Sequence, residues 1–191
     1  MAEVVEVNLI SKDILSNEII FQFIHEQAEI KENSKVVEVM DNWEYENSYI
    51  INPEEYLQYL INSKIISITE KARGGYVGLN IEKIDNNFCY TIWFNLKKYE
   101  AISGYYQLIK ALIAFVKQKI NRQFILCAIG KEVVFEFQGD YNVLLNNSHN
   151  IDVWVYLGNL FDFEKGVLDS KLISYKLVKV DDYKILIKSN I

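Results

Sequence analysis

Val77, Leu79 and Ile81 alternate with Gly78, Asn80 and Glu82, and shortly afterwards Phe88, Tyr90, Ile92, Phe94 and Leu96 alternate with Cys89, Thr91, Trp93 and Asn95. A period of two marks strands with one buried face, so Tyr76 to Leu96 predicts a β-hairpin. A two-residue turn at Asn86-Asn87 would set Ile81 opposite Ile92, Leu79 opposite Phe94 and Val77 opposite Leu96, with both apolar sets on one face. On the other face the same register puts Trp93 opposite Asn80, Asn95 opposite Gly78 and Thr91 opposite Glu82. Lys64 to Glu70 predicts a third strand, joined through Arg73-Gly74-Gly75.

The period changes to 3.6 in Tyr105, Leu108, Ile109, Leu112, Ile113, Val116 and Ile120, which predicts a central amphipathic helix capped by Ser103. Ile20, Phe23, Ile24 and Ala28 predict an earlier helix over Asn17 to Ala28. Asn52-Pro53-Glu54-Glu55 has the cap, N1 proline and acidic first turn of a helix that ends near Asn62. Val4 to Leu9 and Lys35 to Met40 predict strands, as does Ile151 to Leu157. Gly130-Lys131 suggests a type II′ turn pairing Leu126 with Phe135 and Ala128 with Val133. Leu172 to Val180 and Tyr183 to Lys188 form a last pair around Asp181-Asp182, with Val178 meeting Ile185.

The expected fold class is therefore α+β: mostly antiparallel sheet with a central amphipathic helix, in one domain over residues 1–191. Helix followed by strands occurs twice, which admits two similar halves, 1–100 and 101–191. The simpler account is ordinary α+β alternation, and it is preferred. With 191 residues, a hydrophobic content of 50% and an aromatic content of 14%, the chain can fill a sizeable core. A single proline and eight glycines leave no room for a Pro/Gly-rich linker.

Charge adds a second feature. The net charge is −6, and the stretch Val36 to Ser63 accounts for it with Glu38, Asp41, Glu44, Glu46, Glu54 and Glu55 and neither Lys nor Arg. Trp43, Tyr45, Tyr49, Tyr56 and Tyr59 are interleaved with these acids. The acidic balance argues against nucleic acid, whose phosphates require clustered cations, and favours a basic or neutral protein partner. The longest uncharged apolar run, Ala111 to Val116, is too short for a membrane span, so a cytoplasmic protein with no membrane partner is expected. A reducing compartment also suits Cys89 and Cys127, which lie in apolar, strand-like segments.

Candidate catalytic chemistry is sparse. His149 follows Ser148 in a polar loop with no nucleophile elbow, and His25, Cys89, Cys127 and His149 lack ligand spacing. Gly74-Gly75-Tyr76-Val77-Gly78 precedes a strand pattern, whereas a phosphate cradle precedes a helix. No catalytic residue, metal site or cofactor is assigned. Trp93, Trp154, Tyr156, Trp43 and Tyr45 fall on positions the core pattern does not claim, either under a second layer or on a recognition surface.

The expected function is a protein-binding module that acts by occlusion, of the kind represented by a cytoplasmic immunity protein that neutralises a bacterial toxin. Its partner-binding residues would be Trp43, Glu44, Tyr45, Glu46, Trp93 and Trp154. Two alternatives stand beside it. One is a small enzyme or ligand-binding domain with an aromatic-lined pocket, drawing on Asp152, Glu132, Glu136 and His149. The other is a structural homo-oligomer joined through strand edges.

Overall fold

The computed structural model describes residues 4–32, 34–44, 47–52, 55–62, 64–120, 123–157, 165–167, 175–180 and 183–189. In chain order the elements are β1 (Val5–Ser11), α1 (Asn17–Gln27), β2 (Val36–Met40), β3 (Ser48–Ile50), α2 (Tyr56–Ile61), β4 (Ile65–Ala72), β5 (Gly75–Ile84) and β6 (Asn87–Leu96). There follow α3 (Ile102–Phe115), β7 (Phe124–Val134), α4 (Tyr141–Asn147), β8 (His149–Leu157), β9 (Tyr175–Val180) and β10 (Tyr183–Lys188). The strands form one ten-stranded sheet in the order β3-β2-β4-β5-β6-β1-β7-β8-β10-β9. Every pairing is antiparallel. The α+β class with a large antiparallel sheet and a central helix is thus observed.

One face of this sheet is apolar from end to end. A single register row runs Val39, Ile66, Ile81, Tyr90, Leu9, Cys127, Val155, Ile185, and each of these side chains is buried. α1 and α3 both cover this face, through Ile20, Phe23 and Ile24 and through Leu108, Leu112 and Phe115. Phe23 stacks on Phe115 at 4.4 Å between ring centroids. Each side chain fully buried here contributes about 1.5–3 kcal/mol before conformational entropy is subtracted. The hydroxyl of Tyr90 remains satisfied in the core by accepting the Leu15 N–H at 2.8 Å. Beneath α1, the buried carboxylate of Glu70 meets His25 Nε2 at 2.6 Å.

The central helix begins two residues earlier than a Ser103 cap implies, because Ala101 occupies the cap position and its carbonyl accepts the Tyr105 N–H. A Cβ on Gly104 would come within 2.3 Å of the Lys98 carbonyl oxygen, so this glycine lets the preceding turn, Lys97–Tyr99, press against the helix start. The last part of the expected stripe, Val116–Ile120, is a π-helical turn that keeps Val116 and Ile120 buried. α2 ends near Asn62 as expected, while Pro53 and Glu54 at its expected start lie outside the described residues.

Two expected hairpins are corrected. β5 and β6 pair two residues away from the expected register, with Leu79 opposite Ile92, Val77 opposite Phe94 and Gly78 opposite Trp93. The turn is Asp85-Asn86, and Asp85 takes the positive φ of 53° that primed turns need at their first central position. An even shift preserves which side chains share a face, and this one lays the Trp93 indole on Gly78, where no side chain competes with it. The second correction is at Gly130-Lys131, which lies within β7 and does not turn. A Cβ at Gly130 would meet the Asn150 carbonyl oxygen at 2.1 Å, and the β7–β8 register shifts there, so this glycine marks a bulge. Leu126 and Ala128 consequently face Tyr156 and Trp154 of β8.

Val178 does meet Ile185 between β9 and β10, although Asp181-Asp182 lies outside the described residues. Both cysteines are free thiols, Cys127 in the core row and Cys89 on the opposite face. No helix of the described residues is long and apolar enough to cross a membrane.

Candidate functional site

The second face of the sheet changes character halfway across. Its central row runs Ile50, Glu38, Ser67, Asn80, Thr91, Asn8, Ala128, Trp154, Leu186 and Leu177. From Glu38 to Asn8 the row is polar and internally bonded: Ser67 Oγ donates to Asn80 Oδ1 at 2.9 Å, and Thr91 Oγ1 to Asn8 Oδ1 at 2.6 Å. From Ala128 onwards it is apolar and joins a second core with Phe137, Leu144 and Val167. The strict alternation of the strands produces the polar half, since every outward position between two core positions carries a small or polar group or Trp93. α4 and residues 135–137 pack on the apolar half, in a cluster that also takes in Ile84 and Cys89 at the ends of β5 and β6.

A cavity of about 640 Å³ opens where the covered half steps down to the open half. Asn8, Thr91, Cys89 and Glu82 lie along its sheet side, and Phe135 and Phe137 stand on the covered side. Trp43 reaches it from the connection between β2 and β3, donating its indole N–H to Glu82 Oε2 at 3.1 Å while the residue stays 45% exposed. Glu82, Asp85 and Glu136 are the acids on its wall, and no Lys or Arg is among the described residues lining it. Burial raises the Glu82 carboxyl above its ordinary value, against the opposing effect of the Trp43 hydrogen bond. The Cys89 thiol is pushed up to about 12 by burial and then by the Glu82 charge, so it is a poor nucleophile at neutral pH.

Glu6 lies one strand position pair from Asn8, opposite Trp93 and Gly130. Burial pushes its carboxyl up to about 7, the Glu132 charge adds to this, and the Asn8 amide opposes it. A folded pKa above the ordinary 4.5 means that the folded chain holds a proton the unfolded chain has released. This contribution to stability is fully present below pH 4.5, falls as pH rises through about 7 and is flat above. Glu6→Gln should therefore melt higher than the wild type at pH 8, with the difference vanishing near pH 4.5. Parallel melting-temperature profiles for the two proteins would contradict this assignment.

The residues expected to bind a partner are not all at one surface. Trp43 and Glu44 are exposed, and the Glu44 N–H donates to Asn42 Oδ1 at 3.2 Å. Tyr45 and Glu46 lie outside the described residues. Trp93 is half-buried against Gly78 on the open polar half. Trp154 is only 3% exposed and packs in the second core near Phe135, so it is not available to a partner on the folded surface. The layer over Trp154 comes from α4 and its neighbours, while the N-terminal helix lies on the other face.

The alternative acid and histidine set is dispersed. Asp152 accepts the Tyr105 hydroxyl and has Lys188 Nζ at 3.5 Å, Glu132 accepts the Val4 N–H at 2.8 Å, and His149 is exposed at the start of β8. Of the four, Glu136 borders the cavity. Among the described residues no group of three or more His, Cys, Asp or Glu is placed to hold a metal ion. Asn8 and the two phenylalanines were not singled out from the sequence: alternation puts Asn8 on the outward face of β1, but nothing local shows that the chain after β7 folds back beside it. No protein-family model, curated protein or solved structure matches this chain.

Proposed function

We propose that this protein is a binding module that acts by occluding a basic protein partner, in the manner of a cytoplasmic immunity protein that neutralises a bacterial toxin. The observation that carries the reading is the exposed Trp43 ring, tied to Glu82 at the mouth of an acidic cavity. Around it the sheet edge exposes Val36, Tyr49 and Ile50, the last at 74%, within the stretch that holds six acids and no base. Aromatic and aliphatic anchors beside uncompensated acid form a surface that steers a cationic partner in and then holds it. Within the stretch, Asp41 is already paired with Lys64 at 2.6 Å, which leaves Glu38, Glu44 and Glu55 as its exposed or half-exposed described acids outside that pair. The opposite edge strand, β9, exposes Lys176 and Lys179, charges that discourage strand pairing there.

A second reading, a small ligand-binding domain or enzyme with an aromatic-lined pocket, is favoured by the cavity itself, whose volume lies in the range of small-molecule sites.

The first reading is tested with the partner captured from the native host. Reversing Glu44 and Glu46 to lysine should slow association by about tenfold at low salt while leaving the melting temperature unchanged, because the field of a carboxylate steers a partner over roughly a Debye length. Salt should reproduce the loss. Trp43→Ala should instead speed dissociation. Capture of no partner, self-association alone, or equal low-salt binding by the reversal and the wild type would sink the proposal.

A further inference from the structure

We infer that the two open edges of the sheet fit each other, so that β9 of one copy of this chain adds antiparallel to β3 of the next and the sheet continues from copy to copy. This goes beyond the binding-module reading and is tested apart from it.

Strand count sets the geometry. With ten strands and every neighbouring pair antiparallel, β9 runs opposite to β3, so a second copy set beside the first in the same orientation brings the two edges together antiparallel, with like faces on the same side. Both edges also end the same rows. The buried row of the first face runs out to Tyr49 on β3 and to Val178 on β9, and the row of the second face to Ile50 and Leu177. Setting Tyr49 opposite Val178 therefore sets Ile50 opposite Leu177, and each row passes unbroken into the next copy. Tyr49 and Ile50 are exposed, and Val178 and Leu177 half-buried, so the junction covers apolar surface that each edge leaves in water. The β3 backbone is also turned toward an incoming strand. The Asp41 N–H donates to the Asn47 carbonyl and the Ile51 N–H to the Val37 carbonyl, so Met40 with Ser48 and Glu38 with Ile50 are the pairs that exchange no hydrogen bonds in the β2–β3 ladder. Ser48 and Ile50 thus point their N–H and C=O groups away from β2.

Charge decides the occupant. β3 lies within the stretch of six acids and no base, with Glu38 across from Ile50 on β2 and Glu44 exposed in the connection before Ser48. β9 has Lys176 and Lys179 exposed and no acid, and Tyr175 to Lys188 as a whole holds four Lys against two Asp. Two β3 edges would bring acid to acid and two β9 edges lysine to lysine, and like charges destabilise either pairing. The lysines that discourage indiscriminate pairing at β9 are matched by an acidic edge, and Lys179 then arrives opposite Ser48, beside the connection that holds Glu44. Such a contact uses different surfaces on the two copies, so it propagates as an open series or closes as a ring.

Sedimentation of the full chain over a concentration series should show species larger than a dimer at low salt. Raising the salt from about 0.01 M to about 0.15 M shortens the Debye length from about 30 Å to about 8 Å and should weaken association by about tenfold. Two variants each keep one working edge. Ile50→Pro removes an N–H that bonds nothing on β2 and disables β3, while Lys176→Glu combined with Lys179→Glu disables β9. Each variant alone is expected to sediment as a monomer with a wild-type melting temperature. An equimolar mixture should form a dimer that grows no further, since only β3 of the lysine variant and β9 of the proline variant remain to pair. A wild-type chain that stays monomeric at low salt, or associates equally at both salt concentrations, overturns the inference, and this comparison needs no variant to fold. Dimerisation of either variant alone also overturns it, because the contact would then be symmetric. Capture of a basic partner from the host decides the binding-module reading and leaves these outcomes untouched.

Discussion

Phe94→Ala is expected to destabilise the fold by about 3–5 kcal/mol and to lower the melting temperature by about 6–20 °C. Phe94 is completely buried, opposite Val77 on β5 and Val5 on β1. Its ring makes edge-on contacts with Phe23 of α1 at 6.2 Å and with Tyr99 at 5.9 Å. Three parts of the molecule thus meet on one side chain: the central strands, the first helix and the turn that leads into α3. Truncation removes the transfer energy of the ring and leaves a cavity that the surrounding strands, fixed by their ladders, cannot close. Urea unfolding should show a lower midpoint with an unchanged slope, since the native fold remains. A melting temperature within about 2 °C of the wild type would show that the ring is not a central contact of this core.

Gly78→Ala, the addition of one methyl group, should cost about 1–3 kcal/mol, a large effect for so small a change. The added Cβ would lie 2.3 Å from the Ile68 carbonyl oxygen and 2.6 Å from the Trp93 ring. The first neighbour is backbone held in the β4–β5 ladder and cannot move aside cheaply, so either the ladder distorts or the indole is displaced. Displacement would expose Trp93, whose fluorescence should shift to the red, a change best read in a Trp43→Phe background because Trp154 is buried. An alanine variant with wild-type stability and emission would show that Trp93 does not rest on this glycine.

The same position shows how far local pattern carries. Alternation assigned Val77, Leu79 and Ile81 to one face and Gly78, Asn80 and Glu82 to the other, and both assignments hold, because side-chain direction in a strand depends only on parity. Parity cannot distinguish registers two residues apart, and the choice between them was made by the turn at Asp85-Asn86 and by the fit of Trp93 over Gly78. At Gly130 local pattern misleads in the other direction. Gly-Lys between apolar segments has the composition of a tight turn, but β1 pairs along β7 through that point, with Glu6 opposite Gly130. A glycine that permits close approach between strands and one that permits a turn look alike in sequence, since both simply lack a Cβ.

The candidate site was legible only in pieces. Trp43 and the acids around it were visible as an aromatic and acidic stretch, and Thr91 and Glu82 were visible as outward positions on neighbouring strands. Asn8, Phe135 and Phe137 come from segments far apart in the chain, and their meeting depends on β1 inserting between β6 and β7. Trp154 makes the converse point: on β8 it has the same outward alternation as Trp93 on β6, yet one is buried and the other half-exposed, because Trp154 lies in the second core with Leu144 of α4 and Trp93 does not.

Most of the strands, the helices α1 and α3 with their apolar stripes, the faces of their side chains and the location of the excess negative charge were readable from the chain alone, because these follow from periods of two and 3.6 residues and from composition; β3, α4 and the start of β8 at His149, expected as a polar loop, were not. Long-range packing settles which outward positions are covered, that β1 joins the two strand groups into one sheet, and that Trp43, Glu82 and Asn8 border one cavity. Those outcomes depend on contacts between residues separated by tens of positions, where the energy lies in burial and fit between distant segments and leaves no local signature.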